Sequence, residues 1–194
     1  RFDYDPISGE CRGLLIEESR TNLISSSNSF GGGSVDLGIT ASATTSPDGS
    51  VNASLIYEKN TNNYKILSLV ATTVIGTTYC GSIFVKYAGT KIYARLKLGA
   101  SNGITINLIT GAFVSGGGSY GVIAYPNGWY RIYSTWTATA TSENMQVFLM
   151  NYNNTTSIFQ GDGSSGYYIY GAQVEQGAFP TSYIPTTAST VTRS

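Results

Sequence analysis

Residues 128–139, GWYRIYSTWTAT, hold the densest group of side chains suited to ligand chemistry in this chain. Alternate residues of a strand point to opposite faces. One parity carries Trp129, Arg131, Tyr133 and Thr135; the other carries Tyr130, Ile132, Ser134 and Trp136. The second set is the more apolar and is expected to face a core. The first is a ring, a guanidinium and a ring in a row. Such a row suits a sugar, whose C–H face stacks on an aromatic ring while its hydroxyls take bidentate or charge-assisted bonds. KIYARLKL (91–98) offers similar groups, with Ile92, Ala94, Leu96 and Leu98 on one side and Lys91, Tyr93, Arg95 and Lys97 on the other. If the two strands share a sheet, they form one aromatic and basic surface. Tyr152, between Asn151 and the pair Asn153 and Asn154, is placed to rim a site. The candidate ligand-binding residues are thus Tyr93, Arg95, Trp129, Arg131, Tyr133 and Tyr152. A purely structural role competes at each position, because Tyr is common in β-sandwiches and Trp is mostly buried.

Other chemistries lack their residues. The chain has no histidine, which removes Ser-His-Asp triads, Cys-His pairs and His-based metal sites. Carboxylate-only catalysis, as in glycoside hydrolases, would need two acids in one cleft. Beyond the N-terminal cluster the acids are Asp36, Asp48, Glu58, Glu143, Asp162 and Glu175, with no spacing that joins two of them. No nucleophile, base and stabiliser assemble, so no enzymatic activity is expected. Asp3, Asp5 and Glu10 in DYDPISGE (3–10) and Asp162 in GDGSSG (161–166) are compatible with a structural calcium. Ordinary turn chemistry explains the same residues and is preferred. Cys11 and Cys80 make no framework and no CxxC pair; Cys80 sits in strand-like text and reads as a buried thiol.

Net charge is zero, yet the charges are unevenly placed. Five carboxylates, Asp3, Asp5, Glu10, Glu17 and Glu18, fall in the first 18 residues, and none falls between Lys59 and Ser142. That window holds Lys59, Lys65, Lys86, Lys91, Arg95, Lys97 and Arg131. An anionic glycan is one reason for such a window, but thin solubilising charge is the simpler one. The basic residues are too sparse for a nucleic-acid surface. No apolar run is long enough for a membrane-spanning helix, so no membrane insertion is expected. The chain opens on Arg in mid-pattern and without a signal peptide, as a domain of a longer protein would.

The elements that must position these residues are strands. Period-two alternation dominates, and no stretch sustains a helical period. Strand candidates are 13–17, 36–42, 51–58, 64–71, 78–87, 91–98, 104–109, 119–125, 128–138, 144–152 and 166–175, with Asn102-Gly103 as a hairpin signal. Strand 144–152 reads as buried on both sides. In 166–176, Tyr168, Tyr170, Ala172 and Val174 read as core-facing, and Tyr167, Gln173 and Glu175 as outward or toward the N-terminal segment. Many short strands with turn signals between them predict an all-β fold, a jelly-roll β-sandwich of two antiparallel sheets. One domain is expected over residues 1–184, followed by a Thr/Ser-rich tail or linker at 185–194.

The two ends carry the most specific text: RFDYDPISGECRGLLIEESRTNL (1–23) and GDGSSGYYIYGAQVEQGAFPTSYIPTTASTVTR (161–193). With GWYR (128–131) and the run from Gly171 to Thr186, they resemble jelly-roll, carbohydrate-binding-module-like domains of tailed-phage tail-fibre and virion structural proteins. The resemblance spans almost the whole chain. It implies a non-catalytic module that binds a polysaccharide or oligosaccharide, in a virion or extracellular setting. It is compatible with a structural calcium and with a homo-oligomer, a trimer if the domain sits in a fibre. The alternative it leaves is an architectural or oligomerisation domain of a virion fibre without glycan binding. The chain departs from the family pattern after SNSF (27–30): GGGSV stands where a Trp is expected, which implies different binding or none.

Overall fold

A computed structural model describes residues 2–14, 16–101, 103–151 and 156–193. The chain begins with β1 (Phe2–Tyr4), β2 (Cys11–Leu14), β3 (Arg20–Asn22), β4 (Ser34–Val35), β5 (Leu37–Thr45) and β6 (Val51–Glu58). It continues with β7 (Asn62–Tyr64), β8 (Ile66–Thr72), β9 (Thr78–Tyr87), β10 (Tyr93–Leu98), β11 (Ile104–Asn107) and β12 (Phe113–Gly116). The last six are β13 (Tyr120–Tyr125), β14 (Trp129–Thr137), β15 (Ser142–Leu149), β16 (Ile158–Gln160), β17 (Gly166–Gln176) and β18 (Val191–Arg193). Among the described residues the only helical pieces are single 3₁₀ turns at Gly31–Gly33 and Pro126–Gly128, so no helix is long and apolar enough to cross a membrane.

Two six-stranded antiparallel sheets form a β-sandwich. The first sheet has the order β12-β11-β10-β15-β8-β4 and the second β13-β14-β9-β17-β6-β5. The pairings β6 with β17, β8 with β15, β9 with β14 and β10 with β11 are nested in the sequence. A long antiparallel ribbon rolled so that successive pairs alternate between sheets gives this order, which is the jelly-roll wind expected from the sequence.

Alternation decides which residues enter the core. On β10, Ala94, Leu96 and Leu98 are fully buried, whereas Tyr93, Arg95 and Lys97 are half-buried on the outer face. The inner face of the first sheet adds Leu67, Met145, Val147, Leu149, Ile104 and Ile106; the second answers with Ile56, Ile83, Val85, Ile132, Ile169 and Val174. Tyr167 reaches across from the second sheet, and its hydroxyl donates to the Phe148 carbonyl of the first at 2.9 Å. The parity expected for β14 holds on this side: Ile132, Ser134 and Trp136 are buried and Tyr130 packs against the core.

Three local expectations are corrected. Strand β15 is buried on one face only, with Gln146 and Phe148 half-exposed opposite Met145, Val147 and Leu149. The parity of β17 breaks at Gly171, where the backbone takes φ +63 and the register with β9 shifts. A bulge of this kind moves the following residues to the opposite face. Tyr167 and Ile169 therefore point into the main core with Ala172 and Val174, while Tyr170 points to the other side. Residues after Pro185 are bound to the sandwich. Thr186 is buried, its hydroxyl donates to the Ile24 carbonyl at 2.6 Å, and Val191–Arg193 pairs with Arg20–Asn22.

Candidate functional site

The two stripes of the sequence lie on different sheets. Tyr93 and Arg95 belong to the first sheet through β10; Trp129, Arg131 and Tyr133 belong to the second through β14. They form no common surface. Trp129 and Arg131 are also buried, at 1% and 3% exposure. Tyr133 is half-buried, its ring lying over Gly121 of the neighbouring strand so closely that a Cβ there would sit 2.4 Å from it. Tyr152 lies outside the described residues.

A second, smaller core buries Trp129 and Arg131. The outer face of the second sheet collects Ala53, Phe84, Trp129 and Tyr170, with Tyr125, Tyr168 and Tyr183 packed on them. Phe84 meets Tyr125 edge-on at 5.0 Å and Tyr183 at 6.2 Å. The Arg131 guanidinium stacks over Phe84 at 5.3 Å and donates to Ser82 Oγ at 2.9 and 3.2 Å and to the Thr181 carbonyl at 2.6 Å. Burial pushes its pKa down from the ordinary value, opposed by Tyr125 and Glu175 nearby. The Trp129 indole donates to the Thr45 carbonyl at 3.2 Å.

The C-terminal end supplies part of this cover through Thr181 and Tyr183, and Glu17, Asn22 and Ser27 of the N-terminal end tie that segment down. Asn22 is fully buried; its amide donates to the carbonyls of Ala172 (3.1 Å) and Ile184 (2.9 Å), and its oxygen accepts from the N–H groups of Ile24 (3.1 Å) and Val174 (3.2 Å). Glu175, also fully buried, accepts from Gln173 Nε2 (2.6 Å), Thr181 N–H (2.8 Å) and Thr181 Oγ1 (2.7 Å). Gln173 Oε1 accepts from Ile184 N–H at 2.7 Å, and Glu17 accepts from Ser182 N–H at 2.6 Å. Asp48 closes the far side, taking bonds from Ser46, Ser50, Asn52 and the Tyr170 hydroxyl, the last at 2.6 Å. Buried polar side chains in this density are tolerable only because nearly every donor finds an acceptor.

The outer face of the first sheet is different. Register across β11, β10, β15 and β8 sets Thr105, Arg95, Phe148 and Ile66 in one row. Lys97, Gln146 and Ser68 form the next row, Asn144 and Val70 lie beyond, and Asn107 and Tyr93 pair on the other side. Arg95 lies 5.7 Å over the Phe148 ring, and Gln146 Nε2 donates to Ser68 Oγ at 3.4 Å. Tyr93, Arg95, Lys97, Phe148, Gln146 and Asn107 are half-exposed, and Asn144 is exposed. This face therefore carries two rings, two cations, several amides and no carboxylate, held on three adjacent strands. Sequence reasoning missed Phe148, Gln146 and Asn107. The signal was Gln146, a polar side chain in the middle of an apolar strand.

The long carboxylate-free window does not make a single positive field. Lys65 is fully buried and bonded to Asp36, Thr61 Oγ1 and the Thr61 carbonyl. Lys91 pairs with Glu58 at 2.5 Å and stacks on Phe159 at 4.4 Å. Lys86 lies 5.9 Å over Trp129. Asp5 and Asp162, one from each of the two proposed calcium loops, serve turns. Asp5 accepts from the N–H groups of Ser8 and Ile7 and pairs with Arg12; these bonds, Ser8 first, hold its carboxyl at about 2. Asp162 accepts from Ser164 and Ser165. Among the described residues no three His, Cys, Asp or Glu side chains group to hold a metal. Cys11 is exposed and Cys80 buried, both unbridged, and burial pushes the Cys80 thiol up to about 12.

A cleft of about 650 Å³ opens at one end of the sandwich between Glu18–Thr21, Leu23, Thr72, Val74, Tyr79 and Gln176–Gly177. Most of its polar groups already serve the fold. Arg20 pairs with Glu18 at 2.7 Å and stacks over Phe179 at 5.3 Å, and the Tyr79 hydroxyl accepts from Val74 N–H at 2.9 Å. Tyr79 is 4% exposed, so it offers no ring face. The open sheet face is the better candidate.

No family model matches the chain, and no curated protein matches it.

Proposed function

We propose that this chain is a non-catalytic carbohydrate-binding module that takes a polysaccharide on the outer face of its first sheet. The observation that carries this reading is the open array of Tyr93, Arg95, Lys97, Gln146 and Phe148, held at fixed register on β10 and β15. The rings offer C–H stacking, the amides take hydroxyls, and the rigid strands keep the ordering cost of binding low. Two cations without a carboxylate on that face favour acidic over neutral polymers. The resemblance of the chain ends supports membership in a larger phage-type fibre or virion protein, with a cell-surface glycan as the target. Single-site affinity on such a face is modest, and several copies in one fibre multiply it.

The test is an array of neutral and acidic polysaccharides probed with the purified chain and with Arg95→Ala. Saturable binding, stronger for acidic polymers and weakened in Arg95→Ala, is the expected result. Silence across the array from folded protein would contradict the reading. It would favour the second one, an architectural fibre domain without glycan binding, which the exposed apolar side chains of β12 and β13 support.

A further inference from the structure

The four outer edges of the two sheets are not equivalent. Exposed edge strands invite pairing with another chain, and proteins blunt them by shortness, bulges or charge. In the first sheet, β4 is two residues long, and β12 is four residues long with a register shift. In the second, β5 shifts register twice, and Ser42 within it adopts φ +52. The fourth edge, β13, has none of these devices. Its six residues pair with β14 in unbroken register from Tyr120–Ser134 to Tyr125–Trp129. No charged residue occurs anywhere from Leu98 to Tyr130. Around this edge Tyr120 (36%) and Ile123 (36%) are exposed, and Phe113 (44%) of β12 stacks on Tyr120 at 4.6 Å.

Backbone geometry identifies the groups on offer. Thr135 N–H donates to the Ser119 carbonyl at 2.9 Å. Antiparallel ladders alternate bonded and non-bonded pairs, so Gly121, Ile123 and Tyr125 bond to β14. Tyr120, Val122 and Ala124 then turn their N–H and C=O groups away from the sheet, where no described strand pairs with them.

We infer that β13 is the interface of a two-fold homodimer, pairing antiparallel with β13 of a second copy to join the second sheets edge to edge. In such a pair one residue faces itself. Centring on Val122 uses every outward residue: Val122 faces Val122, and each Tyr120 faces the other copy's Ala124. A shift to Ile123 would oppose Tyr120 to Pro126, which has no N–H to give. The occupant is a second copy because nothing repels one: the edge is neutral, and the whole chain has formal net charge zero. The proposal is independent of glycan binding, though a dimer would present two open faces.

Sedimentation velocity of the whole chain from about 1 to about 200 µM, a range bracketing modest affinities, tests it. The expected mass rises from 20.6 kDa toward twice that value. Ala124→Pro, which removes an outward N–H but no bond to β14, and Ile123→Lys, which charges the edge, should both stay monomeric. Ala41→Lys on the exposed opposite edge should dimerise like the unaltered chain. Thermal melting confirms folding; if Ala124→Pro is unfolded, Ile123→Lys decides alone. A monomer throughout, a trimer, or a dimer indifferent to the edge variants would each overturn the proposal.

Discussion

The outer faces of the two sheets carry the same kinds of side chain, covered on one and open on the other. On β14, Trp129 and Arg131 stand two residues apart; on β10, Tyr93 and Arg95 do. Both arginines lie over a phenylalanine, Arg131 over Phe84 and Arg95 over Phe148. Yet the first pair is buried, Trp129 against Thr45 and Arg131 against Thr181, while the second stands half-exposed at the surface. The alternation of a strand says which face a residue takes, not what covers that face. A ring beside a guanidinium is equally good at capping a buried carbonyl, as Arg131 does with Thr181, and at meeting a ligand.

Stability measurements are the sharpest way to separate the faces. Trp129→Ala should cost about 3–5 kcal/mol, the range for deleting a large buried aromatic, read as a shift of the urea midpoint. A loss below about 1 kcal/mol, ordinary for a surface position, would mean that the cover is absent in solution. Glu175→Ala should come next, at about 1–3 kcal/mol, because it strands the Thr181 and Gln173 donors in a buried place.

Acid should loosen the covered face, which neutral pH leaves intact. Burial pulls the Asp48 carboxyl upward, but bonds from Ser46, Tyr170, Ser50 and Asn52 outweigh it and hold the group well below its ordinary 3.8. A depressed folded-state pKa gives stability that is complete above the unfolded value and is lost as pH falls through the folded one. Asp162, held down first by Ser165, acts in the same direction. The urea midpoint should therefore drop between about pH 5 and about pH 2, and Asp48→Asn should drop less over that interval. An identical slope in the variant would remove Asp48 from the seal.

Tyr93→Ala and Arg95→Ala should change stability least, by less than about 1 kcal/mol each, while weakening polysaccharide binding by about tenfold or more. The thiols give a binary check on the core beside the seal: a maleimide should label Cys11 alone in native protein and Cys80 as well only after denaturation. Labelling of Cys80 in native protein would show that β9 is not covered as described.

Much of the fold was legible because the strands alternate strictly. The ranges 51–58 and 78–87 read from the sequence coincide with β6 and β9, and the inner faces of β10 and β14 follow parity. What parity could not carry was any event that resets it. Gly171 in GYYIYGAQV looks like one more strand residue, but its left-handed φ reverses the faces of everything after it. The candidate site was half legible. Tyr93 and Arg95 stand out as polar residues opposite an unbroken apolar face. Trp129 and Arg131 stand out just as clearly, but they are bonded to the carbonyls of Thr45 and Thr181, which lie far from them in sequence. Phe148 was hidden because a half-exposed ring in an apolar strand resembles core. In the closing motif, the dense polar text of QVEQGAFPTSYIPT pointed toward the N-terminal segment or another end segment, and the structure ties it to Glu17, Asn22 and Ser27 while Gln173 and Glu175 bond the stretch 181–184 of the motif itself.

The central claim is that the open face, and not the sealed one, meets a glycan. Amide chemical-shift mapping during titration with an oligosaccharide from a polymer retained on the array tests it most directly. Perturbations are expected to concentrate on β10, β15 and β8 around Arg95, Phe148 and Gln146, with β14 and the terminal segments unchanged. Perturbations centred instead on Trp129 and the segment 180–186, or on the cleft at Arg20 and Tyr79, would contradict it.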